Sequence, residues 1–242
     1  MIFRSISLKK LGCLILTVLL ICITASCGSQ LLMENAAKVE LRNFSESNGL
    51  YNSVCYNGND YIAVGTNGRI DRIKPDKSVT TLPAVTSASL NDVISMNGID
   101  VAVGDSGVVL VAKDGGNFSA VKSKTSKSLY GITVYKGKFW AAGAEGTIIC
   151  SSDGKHWKSI NSGIKSDIHS IAANEENIMA VAGESQVLMS VDGEKWDLLD
   201  YNEYYKGLAE PCRFRSVQAV ADSFFVLGEH LNIPGSPAIM ST

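Results

Sequence analysis

Residues 151–157 read Ser-Ser-Asp-Gly-Lys-His-Trp, and residues 190–196 repeat the pattern as Ser-Val-Asp-Gly-Glu-Lys-Trp. Residues 112–118 form a third copy, Ala-Lys-Asp-Gly-Gly-Asn-Phe, in which a phenylalanine replaces the tryptophan. An Asp-Gly pair predicts a tight turn, because glycine tolerates positive φ and the aspartate accepts hydrogen bonds from nearby backbone amides. We expect the following aromatic side chain to cover that turn. We therefore interpret nine residues as structural: Asp114, Gly115, Phe118, Asp153, Gly154, Trp157, Asp192, Gly193 and Trp196.

Two further features recur with the same period of about 40 residues. The first is a glycine that ends a short apolar run, found at Gly65, Gly104, Gly143, Gly183 and Gly228. The second is an apolar or aromatic residue that precedes each glycine at a nearly constant distance, found at Tyr51, Leu90, Leu129, Ile168 and Phe214. Each unit contains four short runs that suit strands, which in the third unit are 129–134, 138–143, 147–151 and 157–160. Four short strands in each unit predict an all-β fold, a β-propeller.

The repeated Asp-Gly-aromatic element resembles the Asp-box, or BNR, repeat of sialidase-like and sortilin-like β-propellers. It also resembles the repeat of propellers related to photosystem II assembly factors. The resemblance covers nearly all of the chain that follows the N-terminal leader, and it implies the fold rather than the function, because one fold hosts many activities. No segment of useful length has helical periodicity, which argues against an α/β fold.

The two ends of the repeat region predict how the ring of blades closes. The fifth unit stops at Ser241 and Thr242, before an Asp-Gly turn and a fourth strand. Residues 39–44, Val-Glu-Leu-Arg-Asn-Phe, lie where a fourth strand would precede the first complete unit. We predict one β-propeller domain over residues 39–242, with five four-stranded blades closed by this N-terminal strand, so that no edge is left unpaired. The alternative is a truncated gene, whose missing blades would continue from Thr242.

The N-terminal residues indicate secretion and lipid attachment. A positively charged start precedes an apolar run over residues 11–24, which is too short to span a bilayer comfortably and is typical of a signal peptide. Residues 24–27, Thr-Ala-Ser-Cys, resemble the lipobox of bacterial lipoproteins, in which the cysteine is acylated after cleavage. We predict a signal peptide over 1–26, lipid attachment at Cys27 and a tether over 27–38, on the extracytoplasmic face of a bacterial cell membrane. An ordinary signal peptide or an uncleaved anchor is the alternative.

Composition narrows the classes of function. Hydrophobic residues make up 45% of the chain and charged residues 19%, which is typical of a globular rather than a disordered protein. The formal net charge is -2, and lysine and arginine form no dense runs, so we predict no nucleic-acid partner. Beyond Cys27 the cysteines are Cys55, Cys150 and Cys212, which are scattered and lack the spacing of a zinc site. We expect buried thiols, no metal and no cofactor.

The residues that would make such a propeller an enzyme do not follow the required pattern. A sialidase is expected to hold the substrate carboxylate with three arginines and to use a tyrosine activated by a carboxylate. Among the arginines, only Arg215 directly follows one of the repeated inner-strand residues, where the other units have Asn52, Asn91, Tyr130 and His169. The sequence contains no GxSxG, HExxH or phosphate-binding loop. We therefore predict that the protein is not an enzyme, and a degenerate glycoside hydrolase is kept as a third hypothesis.

Two units carry extra residues, and both insertions are predicted to lie on the same face of neighbouring blades. They cover residues 198–206 and 229–237. Added loop length on a repetitive scaffold is typical of a functional surface. We assign the candidate binding face to the insertion residues and their predicted neighbours: Tyr201, Asn202, Glu203, Tyr204, Tyr205, His169, Arg215, Glu184, Glu229, His230 and Asn232.

The tyrosines of the first insertion indicate the kind of ligand. Tyrosine combines a flat apolar ring with a polar tip, which suits both protein contacts and stacking on sugars. We predict a scaffold that binds an envelope protein, and a cell-wall glycan is the alternative partner. The tyrosines could instead simply pack the insertion onto its blade. The histidines and carboxylates could hold a metal ion, although a solvated surface set is the preferred interpretation. Acidic residues are also predicted on successive loops between the second and third strands, at Asp105, Glu145, Glu184 and Glu229. They form either a rim that attracts cations or a solvated surface, and the solvated surface is the default interpretation.

Overall fold

The computed structural model describes residues 50–207, 210–233 and 235–241, which contain strands, short 3-10 turns and one short α-helix. The strands form five sheets, four with four strands and a fifth with three. Neighbouring strands follow chain order in every sheet and pair antiparallel, so each sheet is a meander. The first sheet consists of β1 (Tyr51–Tyr56), β2 (Tyr61–Gly65), β3 (Ile70–Ile73) and β4 (Val79–Thr81), and the second of β5 (Leu90–Met96), β6 (Ile99–Gly104), β7 (Val109–Lys113) and β8 (Ser119–Val121). The third sheet consists of β9 (Leu129–Tyr135), β10 (Lys138–Gly143), β11 (Ile148–Ser151) and β12 (Lys158–Ile160), and the fourth of β13 (Ile168–Ala173), β14 (Ile178–Ala182), β15 (Gln186–Ser190) and β16 (Asp197–Asp200). The fifth sheet consists of β17 (Cys212–Val220), β18 (Ser223–His230) and β19 (Pro237–Ser241).

Consecutive sheets pack face to face through their inner strands, with β1 on β5, β5 on β9, β9 on β13 and β13 on β17. Four clusters of buried apolar side chains fill the spaces between the sheets, with Leu110, Phe139, Leu188 and Phe214 among their members. Successive side chains along a strand point to opposite faces of its sheet. A sheet that lies between two others therefore buries apolar side chains on both faces. The predicted all-β class and the four-stranded antiparallel units are confirmed.

Closure of the ring lies beyond what the described residues contain. The predicted closing strand, residues 39–44, is outside the described residues, and the fifth sheet has the three strands β17, β18 and β19. Within the described part of the chain, β17 does not pack against β1 as closely as the inner strands of consecutive sheets pack against each other. The count of five blades and the closure by an N-terminal strand therefore stay predictions.

Every inner strand has an irregularity in its pairing with the next strand, at its second residue in the first four sheets and at its fourth residue in the fifth. These residues are Asn52, Asn91, Tyr130, His169 and Arg215. A bulge of this kind bends the strand and re-aims the side chain. The amide nitrogen Nδ2 of Asn52 donates to the carbonyl of Leu90 at 2.9 Å, and that of Asn91 donates to the carbonyl of Leu129 at 2.9 Å. The first two bulges therefore tie each sheet to the next through a side-chain hydrogen bond.

The recurring glycine has a steric cause. A Cβ on Gly104 would lie 2.1 Å from the carbonyl oxygen of Ser89, and one on Gly143 would lie 2.0 Å from that of Ser128. The same two oxygens accept hydrogen bonds from the residues that follow each glycine, Asp105 and Ala144. In these sheets the turn between the second and third strands therefore packs directly against the residue that precedes the inner strand, which leaves no room for a side chain on the glycine.

The aspartate turns hold their backbone with side-chain hydrogen bonds. Asp153 Oδ1 accepts from the backbone amides of Lys155 at 2.9 Å and His156 at 2.8 Å. The indole Nε1 of Trp157 donates to the carbonyl of Gly154 at 2.8 Å, and its ring is buried between the second and third sheets. The copy at residues 190–196 makes the corresponding bonds from Asp192 and Trp196. The copy at residues 112–118 differs, because Asp114 itself has a φ of 50° and its amide donates to Gly98, while Phe118 is buried.

Acid should weaken the turn at Asp153, and Asp153→Asn should remove that sensitivity. The backbone amide of His156, and then its side chain, hold the pKa of Asp153 well below the usual range of aspartate. A carboxyl with a lowered pKa in the folded state stabilises the protein above its unfolded-state pKa of about 4, and that stability is lost as the pH falls toward the folded-state value. Thermal unfolding between pH 6 and pH 2 should therefore show a smaller decrease in midpoint for Asp153→Asn than for the parent chain. Asp222 lies in an exposed turn and serves as the control. If Asp222→Asn reduces the acid-induced decrease in midpoint as much as Asp153→Asn does, the assignment to Asp153 is wrong.

Candidate functional site

The first insertion begins with an N-capped helix. β16 ends at Asp200, and the four residues that follow form α1 (Tyr201–Tyr204). The carboxylate of Asp200 accepts hydrogen bonds from the hydroxyl of Ser185 at 2.6 Å and from the backbone amide of Glu203 at 3.5 Å. An aspartate at this position satisfies an amide that the first helical turn leaves unpaired. Asp200 therefore directs the chain out of the fourth sheet and into the insertion.

Four aromatic rings form a column from the core to the surface. The ring of buried Phe214 lies 5.5 Å from that of Tyr201, which lies 4.7 Å from that of Tyr205, and Tyr205 lies 4.9 Å from Tyr204. Tyr201 is half-buried against the core cluster between the fourth and fifth sheets. Tyr205 is 37% exposed and Tyr204 is 68% exposed. The innermost tyrosine thus packs the insertion onto the sheets, while the outer two present their rings to solvent.

Asn202 closes the insertion by binding its far end. Its amide oxygen accepts from the backbone N–H of Cys212 at 2.8 Å, and its amide nitrogen donates to the carbonyl of Cys212 at 2.9 Å. Its own backbone amide donates to the hydroxyl of Ser185 at 3.3 Å. Both polar atoms of the Asn202 side chain therefore hold the loop against the start of β17.

The second insertion contacts the segment that leads from the first insertion to β17. The backbone amide of Leu231 donates to the carbonyl of Pro211 at 2.8 Å, and the side-chain amide of Asn232 donates to Glu210 at 3.1 Å. The structure thus places residues of the second insertion just beyond the end of the first, at the junction of the fourth and fifth sheets.

An ion-pair network lies beside the insertions. Arg213 lies 2.9 Å from Glu184 and 3.6 Å from Glu229, and Arg215 lies 3.0 Å from Glu229. All four side chains are at least one-third exposed, so each pair adds little stability. Arg213 joins the carboxylates, yet sequence reasoning left it out of the candidate set. The sequence does contain a signal for it. Phe214 pairs with Gly228 in the antiparallel hairpin of β17 and β18, so the residue before Phe214 must pair with the residue after Gly228, which joins Arg213 to Glu229.

The two candidate histidines have separate partners. His169 Nε2 lies 2.8 Å from the carbonyl oxygen of Gly183, and His230 Nδ1 lies 3.5 Å from Cys212 Sγ. Burial raises the pKa of the Cys212 thiol, which favours the unreactive protonated form. Across residues 50–207, 210–233 and 235–241, no three His, Cys, Asp or Glu side chains are grouped so that they could hold a metal ion.

The predicted rim of acids consists of separately engaged side chains. Asp105 accepts from the side-chain amide of Asn91 at 2.9 Å, and Glu145 forms an ion pair with Lys127. Burial, with the charges of Asp167 and Asp105, raises the pKa of the Tyr130 hydroxyl, which keeps it a hydrogen-bond donor. These contacts favour local pairing over a shared cation site.

Membrane attachment depends on residues outside the described part. Cys27, together with the predicted signal peptide and tether, lies before residue 50, the first residue that the structure describes. None of the helices in the described ranges is both long enough and apolar enough to cross a bilayer.

The exposed side chains at this junction form one surface with mixed apolar and charged character. We call it the loop surface, and it consists of Glu203, Tyr204, Tyr205, Arg213, Arg215, Glu229 and Asn232.

Comparisons with known proteins identify the architecture. A family model described as DUF6242 beta propeller domain matches residues 74–207. Among similar solved structures, YCF48 bound to D1 peptide has a TM-score of 0.58 and 13% identity over 79% of this chain and 67% of that chain. YCF48 from Cyanidioschyzon merolae has a TM-score of 0.59 and 13% identity, over 80% of this chain and 72% of that chain. Virginiamycin B lyase from Staphylococcus aureus has a TM-score of 0.66 and 10% identity, over 76% of this chain and 64% of that chain.

No curated protein sequence matches the chain. The structural similarities, at such low identities, concern the fold alone. Together with the family model, they confirm the predicted β-propeller.

Proposed function

Since the chain belongs to the DUF6242 β-propeller family, we propose that it is a non-catalytic scaffold that binds an envelope protein through the loop surface. A lipid on Cys27 would hold it at the extracytoplasmic face of a bacterial cell membrane. The anchor rests on the lipobox-like residues 24–27 and on the apolar run that precedes them.

The observation that carries this proposal is the aromatic column under Tyr204. An edge-to-face contact with Tyr205, which in turn packs on Tyr201 and through it on Phe214, restrains the exposed Tyr204 ring before any ligand arrives. A side chain that is already ordered loses less conformational entropy on binding, so more of its contact energy appears as affinity. Exposed tyrosines surrounded by charged residues are typical of the residues that dominate protein interfaces.

A polypeptide ligand is supported by a protein of similar fold. YCF48 has been solved bound to D1 peptide. Virginiamycin B lyase has a similar fold, so the fold alone does not choose between binding and catalysis. The choice rests on the local chemistry, where burial raises the pKa of the Cys212 thiol, and Arg213 and Arg215 pair with Glu184 and Glu229.

Tyr204→Ala should reduce capture of the partner by about tenfold, because it removes an exposed, pre-ordered ring from the contact surface. The full chain with a C-terminal affinity tag is expressed in its native cells, cross-linked in the envelope, solubilised and recovered. Val191→Ala is the matched control, since Val191 is 63% exposed but lies at the opposite end of the fourth sheet. Both variants should keep the thermal unfolding midpoint of the parent.

Three outcomes would change the proposal. Equal capture by Tyr204→Ala and the parent chain would exclude the loop surface as the contact site. Recovery of polysaccharide without protein would favour the glycan, since the same rings can stack on sugars. Equal uptake of labelled fatty acid by the parent chain and by Cys27→Ser, or no uptake by either, would exclude the lipid anchor at Cys27.

A further inference from the structure

β16 forms the outer edge of the fourth sheet, and its side chains differ from those of β12, the outer strand of the third sheet. Leu198 is 50% exposed and Leu199 is 37% exposed. In the third sheet the equivalent positions of β12 are Ser159 and Ile160, preceded by the exposed Lys158. Proteins commonly protect edge strands by making them short, polar or lysine-bearing, because an unpaired edge can accept another strand. β12 has this protection, whereas β16 exposes two adjacent leucines.

The backbone of β16 presents unpaired groups at the same place. The amide of Tyr201 donates to the carbonyl of Ser185 at 2.9 Å, which continues the register that pairs Leu199 with Val187. In an antiparallel pair, hydrogen-bonded and non-hydrogen-bonded positions alternate. Leu199 therefore bonds to β15, and Leu198 directs its N–H and C=O away from the sheet. Within residues 50–207, 210–233 and 235–241, this edge thus combines an unengaged donor and acceptor on Leu198 with two apolar side chains.

The charges at the ends of β16 decide which occupant fits. Asp197 and Asp200 lie on either side of the two leucines. Only residues that turn their N–H and C=O outward can pair directly across this edge, so in a second copy Leu198 would lie opposite Leu198 or Asp200, and neither register places a lysine or arginine opposite Asp197 or Asp200. A strand with two apolar residues between two basic residues would instead place lysine or arginine opposite each carboxylate.

We propose that the edge of β16 binds an extended polypeptide segment of the pattern basic-apolar-apolar-basic by antiparallel strand addition. Main-chain hydrogen bonds to Leu198 would supply affinity, and the two carboxylates would select the flanking charges. The inference rests on the proposed function in that the ligand is a polypeptide. It assigns that polypeptide to the sheet edge that leads into α1.

The probe is the peptide acetyl-Thr-Lys-Val-Val-Lys-Thr-amide, titrated into the full chain with amide hydrogen exchange followed by NMR. We expect slower exchange of the Leu198 amide at saturation and no change at Ser159 on β12. A peptide with glutamate in place of both lysines should bind about tenfold more weakly, as should one N-methylated at the second valine, which would face Leu198.

Charge reversal at one position tests the register. Asp197→Lys gives β16 the residue that β12 has at Lys158, and it should weaken the lysine peptide by about tenfold while strengthening the glutamate peptide. Leu198→Ser, which gives β16 the residue that β12 has at Ser159, should also weaken binding without changing the unfolding midpoint. Lys158→Ala on β12 is the matched control and should leave both affinities unchanged.

The proposal is overturned if the Leu198 amide exchanges at the same rate with saturating peptide, or if Asp197→Lys leaves both affinities unchanged. Dimerisation of the chain without peptide, abolished by Leu198→Ser, would assign the edge to a second copy and also overturn it. Envelope capture, which Tyr204→Ala should reduce, and peptide binding, which Tyr204→Ala should leave unchanged, separate the broader proposal from this one. Envelope capture without peptide binding rejects only the β16 edge, and peptide binding without envelope capture rejects only the proposed partner.

Discussion

Gly193→Ala should lower the free energy of unfolding by about 2–5 kcal/mol, because two unfavourable effects act at one position. Gly193 has a φ of 76°, a conformation that residues with a Cβ rarely adopt. A Cβ at this position would also lie 2.2 Å from Cη2 of Trp140, whose ring is buried in the third sheet. The turn of the fourth sheet closes directly onto that ring, so either the turn or the ring must move. Urea denaturation of the full chain measures the change.

Two matched variants separate the strain from the clash. Gly115 occupies the same turn position with a φ of 73°, but nothing lies within 4 Å of the added Cβ. Gly115→Ala should therefore cost only the backbone strain, about 1–2 kcal/mol. Trp140→Phe removes the ring atoms that the alanine would strike, so Gly193→Ala should cost no more than Gly115→Ala in that background. Equal costs for Gly193→Ala and Gly115→Ala in the parent chain would contradict the steric explanation.

Trp157→Ala should destabilise the protein by about 3–5 kcal/mol, the usual range for deleting a buried aromatic side chain. Trp157 is buried among apolar residues of the second sheet, so its loss leaves a cavity between two sheets. The change also removes the hydrogen bond that the indole donates to Gly154. Denaturant unfolding should show a lower midpoint, and the aspartate turn should exchange its amide hydrogens faster.

The chain provides two comparisons for this prediction. Trp157→Phe should cost much less, because Phe118 already fills the equivalent position of the second sheet. Trp196 is equivalent in the fourth sheet but only half-buried, so Trp196→Ala should cost less than Trp157→Ala. If Trp157→Ala stays within about 1 kcal/mol of the parent, the tryptophan does not join the sheets as described.

Sequence reasoning was accurate where the cause is local. The strands predicted at 129–134, 138–143, 147–151 and 157–160 agree with β9 to β12 to within one residue at every end. Turn chemistry and alternation act over a few residues, so they can be recognised without knowing the neighbours. The repeat then extended the same assignment from one unit to the next, which is why the all-β propeller was predictable.

The candidate site was less predictable, because its residues belong to different units. Asn202 was predicted as a ligand contact, and the structure uses both of its polar side-chain atoms to hold Cys212. Arg213 was left out, and it connects Glu184 to Glu229. His169 and His230, which could have contributed to one metal site, have separate partners. Such pairings depend on which side chains two sheets bring together, and no pattern within one unit contains that information.

The amino-acid pattern alone specified the β-propeller units, their four strands and the turns between them, because hydrogen-bonded turns and alternating burial are short-range effects. How the units use their side chains emerged only from the packing of the sheets. Gly193 must lack a side chain because of Trp140 in another sheet, and Tyr201 is packed while Tyr204 is exposed. These outcomes depend on the close packing of elements far apart in the chain, where tenths of an ångström decide whether an atom fits.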